Sequence, residues 1–196
     1  MIQNNELDND IVTISKLQVA LKSSALSLQS ELSELTLEAD TETAPGLRKL
    51  LEEAALALLR NAESWTHVLG SSKTIDRREE AEIVFTRFSI EERSKFSAET
   101  LTNVDGKIRQ REVIESDRNV ETPAYIVVTL LIGTADDRPL FSQIDSAQAM
   151  QEALKKVASM RSDYLMVFEL LWSPQVETDT LTEAELATEY ADLVAI

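Results

Sequence analysis

The side chains of this chain best suited to acid–base or metal-assisted chemistry are one histidine, His67, and two adjacent carboxylates, Asp136 and Asp137. A single histidine excludes a two-histidine metal motif, and a Ser-His-Asp triad would have to be built around it. No Gly-x-Ser-x-Gly turn, which would expose a nucleophilic serine, accompanies it. We therefore predict that His67, between Trp65 and Val68, is a structural residue and that the chain has no catalytic residues.

One segment is similar to a calcium-binding loop. Residues Asn103 to Glu112 fit positions 3 to 12 of an EF-hand loop, with Gly106 at position 6 and the glutamate at position 12. Leu101 stands at position 1, where a carboxylate ligand is needed, and the neighbouring Lys and Arg side chains would repel a cation. We predict a turn or a helix end at Asp105-Gly106 and no metal site.

The glycine content limits nucleotide-binding motifs. Gly70-Ser-Ser-Lys73 lacks the Gly-x-x-x-x-Gly-Lys-Ser/Thr spacing of a phosphate-binding loop, and four glycines in the whole chain leave no Gly-x-Gly-x-x-Gly. We predict a turn with solvated hydroxyl groups there, and no cofactor. Acidic pairs such as Glu52-Glu53 point about 100° apart on a helix, so they do not converge on one substrate atom.

Charge and cysteine content exclude further classes of function. The formal net charge of −16 would repel nucleic acid and anionic lipid. Half of that charge falls after Arg161, where no Lys or Arg occurs; this acidic C-terminal segment either docks a basic partner or only maintains solubility. The absence of cysteine excludes disulfides, thiolate nucleophiles and Cys-based zinc sites.

The remaining composition sets the domain organisation. Residues 1–11 are polar, so we expect a disordered N-terminal lead followed by a single domain over residues 12–196. The N-terminus has no signal-peptide pattern, and no apolar stretch approaches the roughly 20 residues that span a bilayer. We expect a soluble, cytoplasmic protein without a transmembrane segment.

Two apolar runs, Tyr125 to Gly133 and Tyr164 to Trp172, predict the core strands. A helix predicted over Ser146 to Val157 lies between them, as in a parallel strand-helix-strand unit. We therefore predict an α/β or α+β fold in which several helices pack on a small mixed sheet of three to four strands that includes a parallel βαβ pair. The composition of the two apolar runs predicts that they lie in the core, and it indicates no chemical activity.

Further strands and helices are predicted in the rest of the chain. Val12 to Leu21 alternates as a half-buried strand, and Trp65 to Ile75 has the composition of an edge strand with a bulge or turn at Gly70. Helices are predicted from about residue 26 to 40, from Pro45, and from Asp76. Capping boxes at Ser89-x-x-Glu92 and Thr182-x-x-Glu185 predict two more helix starts, the first of them making a corner.

From about residue 13 to its end the chain resembles an uncharacterised domain family of cyanobacteria and chloroplasts, whose plant members include a thylakoid protein for acclimation to fluctuating light. The segments that carry the resemblance are Lys16–Leu21, Ala57–Arg60 before Trp65, Ser89–Ser97 with Glu99–Leu101, Tyr125–Leu131, Ser146-Ala147, Trp172–Gln175 and Thr180–Leu186 with Tyr190. The resemblance implies a role in photosynthetic acclimation but transfers no reaction and no site residues. Many members carry a Gly-rich, apolar segment before this domain, and its absence here puts membrane anchorage in doubt.

Three functions follow from these observations. The first is a non-enzymatic regulatory or protein-interaction domain that binds a protein partner. Peripheral association with a membrane is compatible with this function, and the sequence does not indicate an oligomeric state. The second is a small-molecule or nucleotide-binding domain that uses the carboxyl ends of the parallel strands, near Gly133 to Asp137 and Ser173 to Gln175. The third is a hydrolase or metal-assisted enzyme that uses Asp136 or Asp137.

Overall fold

The computed structural model describes residues 6–22, 25, 27–101, 124–175 and 179–196, with only the backbone described for residues 96–101. The strands are β1 (Val12–Lys22), β2 (Trp65–Ile75), β3 (Ala124–Thr134), β4 (Leu165–Ser173), β5 (Leu181–Thr182) and β6 (Val194–Ala195). The helices are α1 (Ser27–Glu38), α2 (Ala44–Arg60), α3 (Arg78–Leu101), α4 (Ala147–Ala158) and α5 (Glu183–Glu189), with short 3-10 turns at Glu6–Asp8 and Ala62–Ser64.

The described strands form one six-stranded sheet of order β4-β3-β1-β2-β6, with β5 also paired to β3. Every strand pairing is antiparallel. The predicted sheet of three to four strands was too small because two-residue strands such as β5 and β6 carry no sequence pattern. The mixed α+β composition is confirmed.

The predicted parallel pair is wrong. Strands β3 and β4 run antiparallel, with Thr134 opposite Leu165 and Val127 opposite Ser173. The loop after β3 crosses the sheet to β2, where Ile144 forms a bridge with Gly70. Helix α4 then leads the chain back to the end of the sheet at which β3 ended, and β4 begins there. At that end the amide of Ala135 donates to the carbonyl of Tyr164, 2.9 Å away.

Helices cover both faces of the sheet. Helices α1, α2 and α4 bury the larger core against one face, which includes Leu17 and Val19 of β1. Helices α3 and α5 cover the other face with two smaller apolar clusters. Strand β1 is a strand as predicted, but ten of its eleven residues are buried rather than only those of one face. Both faces of β1 are buried because helices pack on both faces of the sheet.

Helix α3 is continuous from Arg78 to Leu101, so the predicted corner at Ser89 is wrong. The Ser89 and Glu92 side chains do not cap a helix start. Ser89 donates a hydrogen bond to Glu169 of β4, and Glu92 accepts hydrogen bonds from β1 side chains. The capping pattern arose because both polar residues are needed for contacts with the sheet.

The other predicted elements are confirmed within a few residues. Pro45 lies in the first turn of α2, Ser146 caps α4, and Thr182 with Glu185 forms a complete capping box on α5. Strand β2 runs unbroken through Gly70, so the predicted turn at Gly70-Ser-Ser-Lys73 is wrong. The Asn103 to Glu112 segment lies outside the described residues.

Candidate binding groove

The two predicted ligand-binding strand ends lie at opposite ends of the sheet. Because β3 and β4 are antiparallel, Ser173 lies opposite Val127, seven positions from the Thr134 end of β3. At about 3.4 Å per residue that separation is about 24 Å. The prediction that Gly133 to Asp137 and Ser173 to Gln175 form one site is therefore wrong.

His67 lies far from the two aspartates. It pairs with Ala20 on β1, and its Nδ1 lies 2.9 Å from the hydroxyl of neighbouring Thr66. Its ring meets the Tyr125 ring edge to face, at a centroid distance of 6.1 Å. Since the carbonyl of Asp136 accepts a hydrogen bond from Thr13, seven residues from Ala20, the histidine and the aspartate are about 24 Å apart.

The aspartates take part in loop structure at the end of β3. Asn9 donates a hydrogen bond to the Asp137 carboxylate, 2.7 Å away, and the Thr13 hydroxyl donates to the carbonyl of Asp136 at the same distance. Among the residues the structure describes, no group of three or more His, Cys, Asp or Glu side chains could hold a metal ion.

A buried charged cluster anchors the middle of α3 to the sheet. The Glu92 side chain is 1% exposed and accepts hydrogen bonds from Lys16 (3.2 Å), Gln18 (2.8 Å) and Lys95 (3.0 Å). Gln18 also donates to Thr129 of β3. Since the donors come from both β1 and α3, this Glu92 cluster fixes where α3 crosses the sheet.

An apolar groove opens between the first half of α3 and the start of β4. We call it the α3–β4 groove; its volume is about 480 Å³. Its walls are the mainly apolar side chains Val12, Ile14, Ala81, Phe85, Met166 and Val167, and its polar rim is formed by Arg78, Glu82, Thr86, Ser89 and Glu169. This volume falls within the range of about 300 to 1,000 Å³ found for ligand-binding sites.

Two small residues lie among the side chains of the groove. Gly133 of β3 lies between Ile14 and Val167, its partners on the neighbouring strands. A Cβ atom at Gly133 would lie 2.6 Å from Cγ1 of Val167. The second small residue is Ala81 of α3, which lines the groove and is buried. Of the two predicted strand ends, only the one at Gly133 lies beside the groove, and it does so next to the start of β4 rather than its end.

The groove ends at a polar contact between α3 and β4. The Ser89 hydroxyl donates to the Glu169 carboxylate at 2.8 Å, and the Arg93 guanidinium lies 3.5 Å from the same oxygen. A quarter of the Glu169 side chain is exposed. It can therefore accept a further cationic or hydrogen-bonding group from outside.

The opposite end of the groove, where Arg78 and Glu82 form the rim, is surrounded by segments with a net negative charge. The four segments that meet there, residues 6–11, 76–82, 135–138 and 161–164, carry ten Asp or Glu residues and four Arg residues. Hydrogen bonds join these segments: Arg78 donates to the carbonyl of Asn9, and Tyr164 donates to Glu6 at 2.8 Å. The hydrogen bond to the Glu6 carboxylate, with burial and the negative charge, raises the pKa of Tyr164.

Sequence reasoning missed the groove because its parts are far apart in the chain. The antiparallel register brings Gly133 beside Val167. The Glu92 cluster, together with the apolar contacts of Ala81 and Phe85, holds α3 above them. One signal was available: Ser89 and Glu92 continue the helical spacing of Ala81 and Phe85, so two polar side chains fall on the buried side of α3.

No described helix is both long enough and apolar enough to cross a membrane.

Comparison with known proteins places the chain among proteins named for light acclimation. A family described as "Protein of unknown function (DUF1517)" matches residues 11–196. Protein FLAP1 homolog A of Synechocystis sp. is 39% identical over 189 residues, which cover 93% of this chain and 56% of that protein. FLUCTUATING-LIGHT-ACCLIMATION protein 1, chloroplastic, of Arabidopsis thaliana is 37% identical over 183 residues, covering 93% and 46%. The chain thus spans about half the length of these relatives, and no solved structure matches it.

Proposed function

This chain belongs to the DUF1517 family, and we propose that it is a non-enzymatic regulatory domain that binds a protein partner through the α3–β4 groove in photosynthetic acclimation to changing light. The names of its two relatives support a role in light acclimation. The groove, with its apolar walls and polar rim, supports binding and is the observation that carries the proposal. The proposal keeps the cytoplasmic location predicted from the sequence, while the plant relative is named as chloroplastic.

The positions of the candidate catalytic groups favour binding over catalysis. His67 and Asp136 are about 24 Å apart, too far to act on one substrate atom. The buried carboxylate of Glu92 already accepts hydrogen bonds from two lysines and an amide. The groove itself is walled by aliphatic and aromatic side chains, which exclude water from a partner's apolar residues and so stabilise a complex.

A domain exchange in a photosynthetic cell tests this proposal. The matching region of Synechocystis FLAP1 homolog A is replaced by this chain, and growth and chlorophyll fluorescence are followed in steady and in alternating light. We expect the exchange to support normal acclimation. A Met166→Lys version, which places a charge in the groove, should fail in alternating light only.

The matched control is Ile90→Lys, which makes a similar apolar-to-charged change on the outer face of α3. Ile90 is 63% exposed and is not among the groove-lining residues. We expect it to behave as the unmodified exchange. Full acclimation with Met166→Lys, or equal failure of both variants, would show that the groove is not the functional surface.

A further inference from the structure

Strand β4 presents a long, almost uncharged edge. It pairs with β3 on one side, and in the part of the chain that the structure describes no strand pairs with its other side. Its sequence, Leu165-Met-Val-Phe-Glu-Leu-Leu-Trp-Ser173, has one charge, no lysine and no proline. Proteins normally protect such edges with charge, proline, a bulge or a covering segment, because unpaired backbone groups accept any extended chain. Strand β4 has one bulge, at Met166, where Val167 and Leu165 pair with the consecutive residues Gly133 and Thr134. Beyond the bulge, Val167 to Leu171 carries only the charge of Glu169 and is suited to pairing with another strand.

The α3–β4 groove lies beside that edge and has the length of a short strand. Its α3 wall extends from Arg78 to Ser89, about 16 Å at 1.5 Å per residue. An extended chain covers this length with about five residues. Every second side chain of a strand added to β4 would face the same side as Val167 and Glu169, whose side chains line the groove. Backbone pairing and side-chain recognition are therefore available together.

The charges on and around β4 favour binding of a segment of another protein over pairing with a second copy of this chain. Glu169 is the middle residue of β4, so a two-fold pairing of two β4 edges centred on it would set like charges opposite each other. Two copies would also each carry a net charge of −16. A segment with basic residues would instead be attracted by the acidic end of the groove beside the start of β4.

We propose that the β4 edge and the α3–β4 groove bind an extended segment of another protein by antiparallel strand addition, with alternating apolar residues followed by Lys or Arg. Antiparallel pairing places the carboxyl-terminal end of the segment beside Leu165, next to the acidic segments. Apolar side chains then enter the groove, and the basic residues lie over its acidic end. This inference rests on the proposed function, because it names the partner chemistry of the same site.

Selection from a random peptide library tests the inference directly, because the library presents every residue pattern to the chain without bias. A library of random 12-residue peptides displayed on phage is selected on the immobilised chain, and enriched peptides are synthesised and their affinities measured by fluorescence anisotropy. We expect apolar residues at every second position followed by basic residues. Raising the salt from about 50 mM to about 500 mM should weaken binding several-fold, because the basic end is held by screened charges.

Two variants locate the binding site. We expect Met166→Lys to weaken the enriched peptides about tenfold, since lysine on an edge opposes strand addition. Ile90→Lys should leave their affinity unchanged, and circular dichroism confirms that both variants are folded.

The outcomes separate the two proposals. Peptides with helical spacing or acidic ends that still require an unmodified Met166 would overturn strand addition and leave the groove as a binding site. Enriched peptides that bind both variants equally, or a selection that enriches nothing, would overturn this inference; the domain exchange then decides the proposed function independently.

Discussion

Replacing Glu92 with alanine should be one of the most destabilising single changes on the α3 side of the sheet. The Glu92 carboxylate is 1% exposed and accepts hydrogen bonds from Lys16, Lys95 and Gln18. Its removal leaves two ammonium groups without their partner, and breaking a buried ion pair in this way costs about 3 to 5 kcal/mol. The lysine side chains are 11% and 14% exposed, so they reach some water, which places the loss near 3 kcal/mol.

Urea and thermal unfolding measure this loss. For a chain of this size, about 3 kcal/mol corresponds to a fall in the melting temperature of about 6 to 12 °C. The matched control is Glu91→Ala, because Glu91 is the adjacent residue on α3 and is exposed. Its effect should stay within about 0.5 kcal/mol. A loss below about 1 kcal/mol for Glu92→Ala, or equal losses for the two variants, would refute the role given to the Glu92 cluster.

Three further predictions concern other parts of the fold. Gly70→Ala should destabilise by about 1 to 3 kcal/mol in urea unfolding, because its Cβ would collide with the side chain of Ile144, whose backbone forms a bridge with Gly70. Thr182→Ala should cost about 1 kcal/mol in the same assay, since it removes the α5 capping box. Absorbance titration should show Tyr164 deprotonating above the ordinary tyrosine pKa, and Glu6→Gln should lower the pKa of Tyr164. The stability that comes from the Tyr164–Glu6 hydrogen bond is fully present below the ordinary tyrosine pKa and is lost as the pH rises through the raised pKa of Tyr164.

Local patterns predicted most helices and strands of this fold. Ser146, Thr182 and Pro45 act within one helical turn, so the sequence alone shows their role. The apolar composition of β3 and β4 likewise predicted strands. Their relative direction depends on where the intervening loop and α4 lie, and no local pattern records that Ile144 packs against Gly70.

Polar residues buried between layers made the local prediction wrong. Ser89 and Glu92 have the spacing of a capping box, yet they bond to Glu169 and to β1. The same contacts determine the groove, which lies between residues separated by more than 100 positions in the chain, such as Ile14 and Val167. Sequence analysis therefore predicted most elements of the fold, whereas locating the groove required the register of the sheet.

Hydrogen exchange of the backbone amides tests whether the β4 edge and the α3–β4 groove receive an extended partner segment. Exchange is measured by NMR on the whole chain, free and with an enriched peptide bound. We predict added protection at alternate amides between Val167 and Leu171, with no change at Ile83 or Ile90 on the outer face of α3. Added protection on that outer face, with β4 unchanged, would contradict the account.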